Sequence, residues 1–91
     1  MCARFNLTYP TGLVLRALAE GYRYGFDLMD ATGLASGTVY PLLRRLEALG
    51  LVAAQWEAED AAHREGRPAR RYYQLTAEGA AVLADARRKF A

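Results

Sequence analysis

The feature that most limits what this chain can fold into is a change of hydrophobic period at Gly50. Before it, Val39, Leu42, Leu43, Leu46 and Leu49 stand at i, i+3, i+4, i+7 and i+10, the stripe of a helix buried along one side. After it, Val52, Ala54, Trp56 and Ala58 alternate with Ala53, Gln55, Glu57 and Glu59, the pattern of a strand with one buried face. A glycine between the two readily takes the left-handed conformation that closes a helix. Ser36 or Thr38 can cap the helix start, and the sequence leaves that choice open. Pro41 then falls in the first turn or just beyond, where a missing N–H costs little.

The elements on either side follow from the same signals. A first helix is expected from about Thr11 to Glu20, with Leu13, Val14, Ala17 and Leu18 on its inner side and Leu15 widening the stripe. Gly21 ends it. A short second helix runs from near Tyr24 to Gly33, with Leu28 and Ala31 inward and Asp27 and Asp30 on its solvent face. Beyond the strand, His63 to Arg70 reads as a polar, basic connection turning at Gly66 and Pro68. Tyr72, Tyr73 and Leu75 form a β-prone segment in which Tyr73 and Leu75 share a face. Thr76 can cap a last helix, 77–90, whose main apolar side chains are Val82 and Leu83. The fold class is therefore mainly α with a small β-hairpin. It is a winged helix-turn-helix, with three helices, a two-stranded wing at about 60–70 and a C-terminal helix, in one domain spanning 1–91.

Composition enters where it narrows function. With 53% hydrophobic residues the chain is too apolar for disorder, yet 91 residues lie near the small end of what folds alone. The single Cys2 forms no internal disulfide, so a second copy is the expected aid to stability. No apolar run reaches the ~20 residues a membrane span needs. No signal peptide is evident, and the expected compartment is the cytoplasm. Net charge is only +2, but Arg64, Arg67, Arg70 and Arg71 gather around the hairpin connection against Glu65 alone. Such a cluster suits phosphate. Catalysis is poorly served: His63 stands alone, Cys2 has no activating neighbour, and neither metal-ligand spacing nor a phosphate-cradling glycine loop occurs. No enzyme activity, cofactor or metal is expected. Trp56 fits either a core or interface position or stacking on a planar ligand.

In a helix-turn-helix the second helix of the unit, here 36–49, enters the major groove. With its stripe buried, Gly37, Thr38, Tyr40, Pro41, Arg44 and Arg45 remain outward. Hydroxyls can reach phosphate or base, and arginines can reach guanine or phosphate. Double-stranded DNA is the expected partner. Two other readings stay open: a winged helix used for protein–protein contact, and a small-molecule-responsive sensor subunit with a pocket near Trp56 or a dimer seam.

Two segments also carry a family resemblance. Leu34-Ala35-Ser36-Gly37-Thr38-Val39-Tyr40-Pro41-Leu42-Leu43-Arg44-Arg45-Leu46-Glu47, followed by Gly50-Leu51-Val52, closely resembles the recognition-helix signature of the PadR family. Gly66-Arg67-Pro68-Ala69-Arg70-Arg71-Tyr72-Tyr73-Gln74-Leu75-Thr76-Ala77-Glu78-Gly79 is similar to that family's wing and second strand, and Tyr24-Gly25 also fits. The likeness spans roughly 8–79, with both motifs in order. It implies a bacterial homodimeric transcriptional regulator, usually a repressor on an inverted-repeat operator, released by small planar or hydrophobic effectors such as phenolic acids. It implies groove contacts from Ser36, Gly37, Thr38, Tyr40 and Pro41, and backbone contacts from Arg44, Arg45, Arg67 and Arg70. The expected dimer interface uses Val82, Leu83 and Phe90 with part of the first helix. The family normally dimerises through a longer C-terminal helix or domain; about 15 residues here give roughly 22 Å, enough for a small interface.

Overall fold

The structure, a computed structural model, describes residues 8–90 apart from the side chains at 61, 62, 89 and 90. Chain order is α1 (Tyr9–Ala19), α2 (Gly25–Thr32), α3 (Ser36–Ala48), β1 (Val52–Trp56), α4 (Glu59–Arg64), β2 (Arg71–Leu75) and α5 (Ala77–Phe90). The winged helix-turn-helix is present, with one extra helix, α4, inside the segment expected to be an open wing.

Helix α1 begins two residues earlier than its apolar stripe suggests. Thr8 caps it by accepting from the Thr11 N–H at 3.4 Å, and Pro10 sits in the first turn where no N–H is required. Val14 and Leu15 are fully buried, and α1 packs against α2, α3, α5 and β2. It is the spine of the core. Leu28, Val39, Leu43, Leu46, Val52, Tyr73 and Leu83 close around it.

Four expectations about burial change. Ala31 is exposed; Gly25 and Leu28 are the buried residues of α2, with Met29 packed behind them. Leu49 is half exposed because α3 ends there. The Gly50 N–H bonds the Glu47 carbonyl at 3.0 Å and the Leu51 N–H bonds the Leu46 carbonyl at 3.0 Å, with Gly50 at φ 77°. That closure turns Leu51 inward in place of Leu49. Trp56 and Ala58 are also exposed, because β1 runs past the edge of the core: Val52 is buried, Ala54 partly so, and Trp56 is 65% exposed.

The hairpin is antiparallel, pairing Val52 with Leu75, Ala54 with Tyr73 and Trp56 with Arg71. Those residues share the face towards the helices; Gln55, Tyr72 and Gln74 lie on the other. A third short stretch joins the sheet. Tyr24 bridges Tyr72, and the Tyr73 N–H donates to the Arg23 carbonyl at 2.8 Å. Helix α5 is fixed to the α3–β1 turn by Thr76, whose hydroxyl donates to the Gly50 carbonyl at 2.7 Å while accepting from the Gly79 N–H at 3.0 Å. The expected Thr76 cap is thus formed, and the same side chain ties two elements together.

Candidate nucleic-acid interface

Helix α3 buries Val39, Leu43 and Leu46 and leaves Ser36, Gly37, Thr38, Pro41, Arg44, Arg45 and Ala48 exposed. Both expected caps are corrected. The capping position is Ala35, which has no side chain to offer, and its carbonyl takes the Thr38 N–H at 2.9 Å and the Val39 N–H at 3.0 Å. Ser36 and Thr38 therefore lie inside the first turn, and neither hydroxyl hydrogen-bonds within the described residues. Arg44 and Arg45 likewise form no ion pair there. Two hydroxyls and two guanidinium groups of α3 are thus exposed and without partners among the described residues.

Tyr40 stands on the shoulder of that surface, 37% exposed. Its ring lies over the α-carbon of Gly25, and a methyl group at Gly25 would collide with the ring. The glycine thus lets α2 and α3 approach through an aromatic edge, and Tyr40 is partly a packing residue.

The wing arginines divide. Arg67 donates to both carboxylate oxygens of Glu57, at 2.5 and 2.9 Å, and to Glu65 at 3.1 Å. Its side chain is only 22% exposed and that of Glu57 14%. Glu57 also accepts from the Arg70 N–H at 3.2 Å and the Tyr24 hydroxyl at 3.4 Å. The Arg67 hydrogen bonds outweigh burial and hold the Glu57 carboxyl at about 2; the same pairing raises Arg67 further above its ordinary range. Arg67, expected on DNA phosphate, instead braces the base of the wing. Arg70 remains exposed, its guanidinium 4.5 Å from the Tyr24 ring centre.

Two residues escaped the sequence reading. Glu57 appeared there only as part of a strand's polar face, and its position opposite Arg70 across the hairpin was the available signal. Arg71 counted only as one charge of a basic cluster; it reaches Glu47 of α3 at 3.1 Å and lies 5.4 Å from the Trp56 ring centre. It links wing to α3.

Of the expected dimer residues, one belongs to the core and one borders it. Leu83 is 6% exposed within the core, and Val82 packs partly against it. The side chain of Phe90 lies outside the described residues. Between α4 and the returning strand is an open depression of about 480 Å³, lined by Glu59, Asp60, His63, Arg67, Pro68 and Ala69. It is polar. Among the described residues no cluster of three metal-ligating side chains forms, and no helix is long and apolar enough to cross a membrane.

Comparison with known proteins matches residues 14–85 to the family described as the transcriptional regulator PadR-like family. Among solved structures, a PadR family transcription regulator of hypervirulent Clostridium difficile is 25% identical, with TM-score 0.80 over 91% of this chain and 88% of that one. A PadR family regulator of Eggerthella lenta is 30% identical, with TM-score 0.68 over 86% and 70%. BpsR of Bordetella bronchiseptica, whose DNA binding is regulated by 6-hydroxynicotinic acid, is 26% identical, with TM-score 0.72 over 92% of this chain and 56% of its own. No curated protein sequence matches.

Proposed function

The chain belongs to the PadR-like family of transcriptional regulators, a family of DNA-binding proteins rather than enzymes, and on that premise we propose that it acts as a homodimeric repressor on a palindromic operator. The observation that carries the reading is the exposed surface of α3, where Ser36, Thr38, Arg44 and Arg45 have no partners among the described residues. A free hydroxyl suits a base edge or phosphate oxygen, and a free guanidinium suits guanine or phosphate. Arg70, exposed at the wing, adds a backbone contact. With Arg44, Arg45 and Arg70 in each of two protomers, about six phosphates are neutralised, and log affinity falls with log salt at a slope near −5. Arg67 is left out of that count because Glu57 holds it.

Selection of bound sequences from a random DNA pool tests the reading. The expected product is an inverted repeat whose half-sites lie about 10 base pairs apart, one turn of DNA. An asymmetric motif would overturn the dimer, and no enrichment at all would overturn sequence recognition. A small planar or hydrophobic effector remains part of the proposal by analogy with BpsR. Cytoplasmic action is the compartment this role implies.

A further inference from the structure

The exposed face of α3 contains the two residue types least suited to a helix, four positions apart: Gly37 and Pro41. Neither is required by the fold. Gly37 has ordinary helical backbone rather than a positive φ, and a methyl group there would meet nothing within 4 Å. Pro41 is exposed, and as the sixth residue of α3 it lies beyond the first turn that tolerates proline. Their spacing has one chemical consequence. In an α-helix the carbonyl of residue 37 takes the N–H of residue 41. Proline has no N–H, and its ring pushes against that carbonyl. The Gly37 carbonyl therefore lacks its regular donor. Gly37 is exposed and has no side chain of its own to cover the backbone, and the push of the Pro41 ring turns this carbonyl away from the regular helical direction.

We propose that the Gly37 carbonyl reads a base directly, accepting a hydrogen bond from the exocyclic amino group of an adenine or cytosine in the major groove. Those amino groups are the donors the groove presents; guanine and thymine offer only acceptors there. Gly37 allows the backbone to come close, and Pro41 keeps the acceptor free. The pair is a specificity determinant that acts through the main chain, in addition to the side chains around it. The inference rests on α3 occupying the groove, and the test separates the two.

Bound sequences are selected from a random pool with the full chain and with Pro41→Ala and Pro41→Ser, each of which restores the N–H. Both variants should melt at a higher temperature than the parent. The parent should enrich an inverted repeat; the variants should keep its length and spacing but lose about tenfold preference at one adenine or cytosine of each half-site. At that position an analogue lacking the amino group (purine for adenine, 2-pyrimidinone for cytosine) should weaken the parent about tenfold and the variants less than twofold. If both variants retain every preference, or lose all positions equally, the carbonyl is not the reader, although α3 still is. If the parent enriches nothing, the groove assignment fails and this inference with it.

Discussion

Residue by residue, the structure separates arginines that are free from arginines already engaged, and the separation is measurable. Arg70→Ala should reduce the salt slope of DNA binding by about 2 in a dimer, one phosphate per protomer. Arg67→Ala should leave the slope nearly unchanged and lower the melting temperature, because it strands Glu57. Equal slopes for the two variants would reverse that assignment. Glu57 also carries a pH signature. Its folded-state value of about 2 lies below the ordinary 4.5, so its contribution is fully present above pH 4.5 and is lost as pH falls from there towards 2. Thermal melts of Glu57→Gln between pH 5 and pH 2 should show a weaker acid dependence than the parent. Thr38→Ala tests base reading. It should lower discrimination between the best site and mismatched DNA by about 1–3 kcal/mol. Because Ala35 rather than Thr38 occupies the capping position, stability should change by no more than about 0.5 kcal/mol.

At the scale of elements, the α2–α3 unit depends on a contact that no periodicity displays. Leu28 and Val39 come from separate stripes, but the Tyr40 ring over Gly25 lets the helices approach closely. Gly25→Ala should therefore cost about 1–3 kcal/mol, an overpacking penalty. Adding Tyr40→Ala should recover part of it, so that the two losses are not additive. Chemical denaturation of the single and double variants checks this; strict additivity would place the Tyr40 ring elsewhere. Legibility varied with locality. Helix α3, β1 and β2 could be read because their apolar residues repeat at 3.6 or 2, which needs only neighbours in sequence. Helix α4 could not, since its six residues carry no apolar stripe. The isolated bridge at Tyr24 is equally silent, because one bridged residue has no period.

For the whole molecule, the open issue at the sequence level was where a second copy would sit. Leu83 is not available for it: Leu83→Ala should destabilise the fold by about 2–5 kcal/mol whatever the protein concentration. The proposed dimer should instead be seen by sedimentation at micromolar concentration, with a melting temperature that rises as the chain is concentrated. A monomer even on its DNA site would defeat the palindrome. The exposed Trp56 offers a probe for the same experiments, since its emission should shift if DNA or a partner covers the Arg71 side of the wing.

The amino-acid sequence by itself determined the order of every element but α4, the α3 stripe and the hairpin alternation, and with them the winged helix-turn-helix; two motifs carried the family resemblance. The order, the stripe and the alternation follow from residue spacing along the chain and from local turn chemistry. Tertiary structure alone decided which side chains remain free. Arg67 and Arg70 are indistinguishable as letters, yet one meets Glu57 across the hairpin and the other lies over Tyr24 in solvent. Leu49 and Leu51 are the same residue type, and the direction in which the chain leaves Gly50 chooses which is buried. Partnership and burial are properties of where separate elements meet in space, and no period along the chain encodes that.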